Sequence, residues 1–149
     1  MKNTNYKKLF NSFDTTIAKW MYSHGKIYLR FSLAIIFIWF GALKPFGLSP
    51  AQTLVERTVF WLTPEFFFPI LGWWEVAIGC CLLFKPLIRV AIFLLFLQMP
   101  GTFLPLILLP EVCFTQFPFG LTMEGQYIIK NLILISSGIV IGGTVRKTE

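Results

Sequence analysis

Gly72-Trp73-Trp74-Glu75-Val76-Ala77-Ile78-Gly79 places one carboxylate near the middle of an apolar run, 66–84, that is long enough to cross a bilayer. An ionisable group at that depth is costly, so it faces the protein interior and has a partner. Composition agrees with a lipid environment. The chain has 149 residues, 56% of them hydrophobic and 13% charged, with a mean hydropathy of +0.70. A soluble domain carries about 25% charged residues, so half that share points to lipid as the solvent. At about 20 residues per crossing, four crossings use most of the chain.

Outward from Glu75, the chain reads as an all-α integral membrane protein. It is a four-transmembrane-helix bundle with an N-terminal amphipathic helix and a short outer interfacial helix, in a single domain spanning 1–149. Residues 4–24 form the amphipathic helix. Phe10, Phe13, Ile17 and Trp20 recur at helical spacing, and Lys7, Lys8 and Lys19 supply cationic contacts. His24-Gly25 reads as its stop, with glycine just past the last turn. The first crossing is 27–44, closed by Lys44-Pro45. Ser49-Pro50-Ala51-Gln52 has the form of a capping box and opens an interfacial helix over 49–62, anchored by Trp61.

Thr63-Pro64-Glu65 starts the second crossing, 66–84. The third, 87–109, contains Gln98-Met99-Pro100-Gly101-Thr102 and then Pro105, which predicts a kink or local unwinding in its outer half. An external loop follows over 110–122, and the fourth crossing spans 126–143. No short apolar core followed by a cleavage site opens the chain, so the first crossing is expected to serve as its own insertion signal.

The net charge of +6 reports orientation and not nucleic-acid binding. Of thirteen Lys and Arg, ten lie on one side of this arrangement: Lys2, Lys7, Lys8, Lys19, Lys26, Arg30, Lys85, Arg89, Arg146 and Lys147. Lys44, Arg57 and Lys130 remain for the other. The positive-inside rule then places both termini in the cytoplasm of a cell whose inner (plasma) membrane holds the protein.

Side-chain direction indicates what Glu75 meets. Cα–Cβ bonds tilt toward a helix N-terminus, so Glu75 and Lys130 lean outward and Lys44 leans back into the membrane. Glu75 lies roughly 14 Å below its helix start and Lys130 about 5 Å below its own. A polar cluster of Lys44, Glu75, Lys130, Asn131 and Gln98 is expected in the outer half of the bundle, as either a structural staple or a ligand site. Snorkelling to the headgroups is the alternative for the two lysines. Gly72, Glu75 and Gly79 share one face, and Asn131, Gly138 and Gly142 form a small-residue strip, which favours close helix approach. That strip could bury within the chain or against another copy in a homo-oligomer.

Cys80, Cys81 and Cys113 have neither CxxC nor metal-type spacing. The first two read as packing residues and Cys113 as a loop thiol open to solvent. No metal ligands and no catalytic residues are assigned, and one histidine excludes ligation of a haem by two histidines of one chain.

Gly41-Ala42-Leu43-Lys44, Trp74-Glu75-Val76-Ala77-Ile78-Gly79 and Glu124-Gly125-Gln126-Tyr127-Ile128-Ile129-Lys130-Asn131 resemble the DoxX-like membrane proteins, nearest the YkgB type, which includes a reactive-chlorine resistance protein. The resemblance covers 30–143. It implies a four-helix membrane bundle, and a place among proteins that serve as subunits of a thiosulfate:quinone oxidoreductase or act in oxidative stress. A quinone cofactor and a redox partner protein enter only through that resemblance. Three functions stay open: an accessory or stress-related component serving a quinone-linked partner, a transporter or channel for protons or a small polar solute using Glu75, and a membrane enzyme acting on a small or lipid-soluble substrate.

Overall fold

The computed structural model describes the backbone of residues 2–146 and the side chains of residues 7–146. Lys147 of the basic tail lies outside the described residues, as do the side chains of the first six. Among the described residues, eight α-helices, one 3-10 turn and one short hairpin make up an all-α bundle, with four helices long and apolar enough to cross a membrane. Between 22% and 28% of the most apolar stretch of each is buried inside the molecule. The remaining apolar surface, including Ile35, Trp39, Ile70, Trp73, Phe93 and Ile133, needs lipid to cover it.

The first helix, α1, is a single element from Lys2 to Leu43, about 63 Å long at 1.5 Å per residue. The stop expected at His24-Gly25 is absent. A glycine inside a helix costs only about 1 kcal/mol, and here the aromatic side chains bridge it. The Trp20 ring stacks on His24 at 5.1 Å and sits 5.8 Å from Tyr28. The 4–24 segment and the first crossing are therefore one continuous rod. Leu9, Phe10, Phe13, Trp20 and Met21 are exposed along it.

After Lys44, a turn through Gly47 in the left-handed region (φ 67°) leads to α2, Gln52–Thr58. This helix is shorter than the expected 49–62, and its N-cap is Ala51, not Ser49. The capping box does not form, because Gln52 Nε2 donates forward to Glu56 Oε1 at 2.8 Å and does not reach back to Ser49.

Helix α3, Pro64–Leu83, begins after Thr63 at the N-cap with Pro64 in its first turn. A 3-10 turn at Lys85–Leu87 leads into α4, Ile88–Phe103. The helix runs through Pro100-Gly101, where unwinding was expected. The interruption falls at Leu104, one residue before Pro105 opens α5, Pro105–Leu108. The third crossing is thus α4 plus α5.

The segment expected as loop is ordered into α6, Pro110–Cys113, and a two-stranded antiparallel hairpin, β1 (Phe114–Gln116) with β2 (Gly120–Leu121). The fourth crossing is α7, Met123–Ile129, and α8, Asn131–Gly142, joined at Lys130. It starts earlier than the expected 126 because Thr122 caps it. Thr122 Oγ1 accepts from Gly125 N at 3.1 Å and donates to the Val112 carbonyl at 2.7 Å.

The core joins Leu33, Ala34 and Phe37 of α1 to Ile78 and Leu82 of α3, Ala91, Leu95 and Met99 of α4, and Ile141 of α8. Its tightest seam is α1 on α3. A Cβ on Gly41 would lie 2.7 Å from the Gly72 carbonyl oxygen, and one on Gly79 would lie 2.7 Å from that of Ala34. The pairing of Gly41 with Gly72 and of Ala34 with Gly79 runs the two helices antiparallel. Gly138 and Gly142 face Leu95, Phe96 and Ile92 of α4, so this part of the small-residue strip packs within the chain.

Candidate functional site

The Gly41–Gly72 contact decides where the polar side chains go. It brings the backbones together one turn before Lys44 on one helix and one turn before Glu75 on the other. Lys44 Nζ therefore donates to Glu75 Oε2 across the seam as a direct ion pair. Gln98, on α4, donates from Nε2 to Glu75 Oε1 at 2.8 Å. Three helices thus meet at one carboxylate, and both of its oxygens accept. Lys44 and Glu75 are 7% and 9% exposed, which rules out snorkelling for Lys44 in this structure.

The cluster lies on the wall of a cavity of about 490 Å³, within the ordinary range for small-molecule sites. The wall is largely apolar. Phe37 and Phe40 of α1, Leu71 and Trp74 of α3, Leu97 of α4 and Leu134 of α8 contribute to it. Helix α2 covers one side with Leu54, Val55 and Thr58, together with flanking Ala51 and Val59. These positions form one face of a helix, which is why so short and polar a segment docks there. Trp74 is fixed by its own Nε1–H donating to the Leu94 carbonyl at 3.3 Å.

Of the residues expected to cluster, Lys44 and Gln98 each hydrogen-bond Glu75, and Asn131 lines the same cavity. Lys130 does not join them. It is exposed at the junction of α7 and α8 and does not line the cavity. Asn131, not Lys130, falls on the face that carries Tyr127, four residues earlier and so one turn away. Tyr127 and the covering face of α2 were missed from sequence. Tyr127 stands one turn before Asn131, and the spacing of residues 51, 54, 55, 58 and 59 was available to show the second.

Two polar atoms at the site are notable. Gln98 Oε1 is enclosed and accepts no hydrogen bond among the described residues. Lys44 spends one of its three N–H donors on Glu75, and no second acceptor for its side chain occurs among the described residues.

Cys113 is buried, not open to solvent. Burial pushes its thiol above the ordinary value, and the nearby Glu111 and Glu124 add to the effect. Cys80 is exposed on the outer surface of α3 and Cys81 is half-buried. No group of three or more His, Cys, Asp or Glu side chains could hold a metal ion among the described residues. Compared with protein-family models, curated proteins and solved structures, the chain shows no match.

Proposed function

We propose that this chain is a small multi-pass protein of the inner (plasma) membrane that hosts a lipid-soluble molecule in the cavity beside Glu75. In this reading it acts as an accessory or stress-related component for a redox partner protein. The observation that carries the host reading is an ion pair and an amide set into the wall of an otherwise apolar cavity, inside a bundle with membrane-length helices. An apolar wall with a few convergent polar groups suits an amphiphile whose body is greasy and whose head forms hydrogen bonds. The compensated charge of Lys44 and Glu75 favours a neutral head.

The redox assignment, and a quinone as the class of molecule, rest on the DoxX-like resemblance of Gly41–Lys44, Trp74–Gly79 and Glu124–Asn131. The distribution of Lys and Arg supports cytoplasmic termini. The basic, apolar-striped first part of α1 supports contact with anionic lipid on that side.

The test uses Gly101→Leu. Gly101 lines the cavity, and a Cβ at this position would have nothing within 4 Å, so leucine adds bulk at the cavity wall without forcing helices apart. Protein purified in nanodiscs is extracted with organic solvent and analysed by mass spectrometry. A neutral lipid-soluble molecule should be enriched over bulk lipid in the native protein and depleted at least about fivefold in Gly101→Leu. Equal recovery from both proteins defeats the host reading.

A second reading, transport of protons or a small polar solute, draws on the buried carboxylate lining the cavity. Flux into liposomes that is abolished by Glu75→Gln would replace the host reading with this one.

A further inference from the structure

We infer that a groove between α4 and α8, at the end of the bundle where α4 begins and α8 ends, seats an anionic phospholipid with its phosphate beside Arg89 and Arg146. This site is separate from the cavity beside Glu75 and stands whether or not that cavity hosts a molecule. The groove has a volume of about 640 Å³, and both arginines line it. Both are exposed, and neither takes part in the two ion pairs found among the described residues.

The carboxylates of the chain lie elsewhere. Of seven Asp and Glu, five (Glu56, Glu65, Glu75, Glu111 and Glu124) belong to the opposite half of the bundle. Asp14 sits on the projecting part of α1, about 24 Å along the helix from Arg30. Glu149 lies outside the described residues. Arg30 and Lys85 add further positive charge at the groove's end of the bundle. The helix ends do not change the sign, because the N-terminus of α4 and the C-terminus of α8 meet there and their dipoles offset. The groove is therefore electropositive. A phosphate suits it, since each guanidinium offers a planar fork of N–H donors to phosphate oxygens. Charge attraction adds over both arginines without requiring that they share one oxygen.

A free phosphate ion would use the arginines alone, but the rest of the wall is apolar. Ile92 and Phe93 of α4 and Val145 after α8 contribute to it. Gly143 leaves room beside them, because a Cβ there would meet only carbonyl oxygens of α8, at 3.6 and 3.7 Å. Phe93, with Leu97 one turn further on, is exposed along the membrane-length part of α4, and Ile139 is exposed on α8. The groove thus runs onto surface that lipid covers. A phospholipid can place its head among the arginines while its chains stay in the bilayer, as in other basic pockets between transmembrane helices.

The experiment titrates full-length protein in mild detergent with dioleoylphosphatidylglycerol or dioleoylphosphatidylcholine and counts the first bound lipid by native mass spectrometry. Each nearby cation strengthens binding of an anionic lipid about fivefold, so the native protein should prefer phosphatidylglycerol by at least about tenfold. When Arg89→Gln and Arg146→Gln are combined, the preference should fall below about threefold. Both arginines are exposed, so this variant removes charge without disturbing the core. Gly143→Leu occupies the groove and leaves the charge unchanged, and it should weaken phosphatidylglycerol at least about fivefold.

Equal affinity of the native protein for the two lipids overturns the site, whatever the variants do. A preference that survives Gly143→Leu intact also overturns it, because charge spread over the whole end of the bundle then accounts for the lipid. Displacement of the bound lipid by an equal concentration of glycerol phosphate would make the groove a site for free phosphate esters and overturn the lipid assignment.

Discussion

Gly72→Ala adds a single methyl group at the α1–α3 seam, and its cost follows from the distances there. An ideal Cβ on Gly72 lies 2.7 Å from the Gly41 carbonyl oxygen, 2.7 Å from Pro45 Cδ and 2.8 Å from Lys44 Cβ. Ordinary contact begins near 3.4 Å, so the two helices must separate by roughly 0.7 Å or distort. Overpacking of this kind costs about 1–3 kcal/mol. Against it stands the gain of about 1 kcal/mol from replacing glycine by alanine inside a helix. Gly101→Ala supplies the control, because it receives the helix gain at a site with nothing within 4 Å. The difference between the two variants isolates the steric term: Gly72→Ala should be less stable than Gly101→Ala by about 1–3 kcal/mol, or about 5- to 150-fold in the folding equilibrium. Reversible unfolding in mixed micelles, read by helical circular dichroism, measures it. Equal stability of the two variants would refute the close approach on which the Lys44–Glu75 contact depends.

Two further outcomes follow from features away from the cavity. Cys113 should react with a maleimide far more slowly than a free thiol until the protein is unfolded, as mass spectrometry of timed samples will show, since it is buried and its pKa is raised. A raised thiol pKa means that its contribution to stability is whole below the ordinary value and is lost as pH rises through the raised one, so alkaline titration should destabilise native protein more than Cys113→Ala. The Arg57–Glu111 pair, at 3.7 Å and with both side chains more than half exposed, ties α2 to α6 only weakly. Arg57→Ala should cost no more than about 1 kcal/mol in the same unfolding measurement, less at high salt.

The four long apolar segments were legible because lipid imposes one strong rule, that a span of about 20 residues be apolar and helical. The approach of Lys44 to Glu75 was legible for a related reason. Helix direction and the tilt of Cα–Cβ bonds pointed the two side chains toward each other, and Gly72 and Gly79 marked the face of the second crossing that could come close. Local stop and start signals were weaker guides. His24-Gly25 looked like a helix end, but Trp20, His24 and Tyr28 stack across it. Ser49 looked like a cap, but Gln52 finds Glu56 instead. Lys130 was misplaced because depth and lean alone do not fix which face of the fourth crossing meets the cavity; that face carries Tyr127 and Asn131, and Lys130 lies off it. The apolar face of α2 at residues 51, 54, 55, 58 and 59 was present in the sequence, but which helices it covers depends on how the segment folds back onto α3 and α5.

The central claim is that Lys44 and Glu75 are one buried unit at the wall of the cavity, and a double-mutant cycle tests it most directly. Lys44→Met and Glu75→Leu each leave an uncompensated buried charge, so each alone should cost about 3–5 kcal/mol of stability. The double variant removes both charges, so it should lose far less than the sum, with a coupling of at least about 2 kcal/mol. If the two losses simply add, Lys44 and Glu75 do not act as a pair, and the account of the site is wrong.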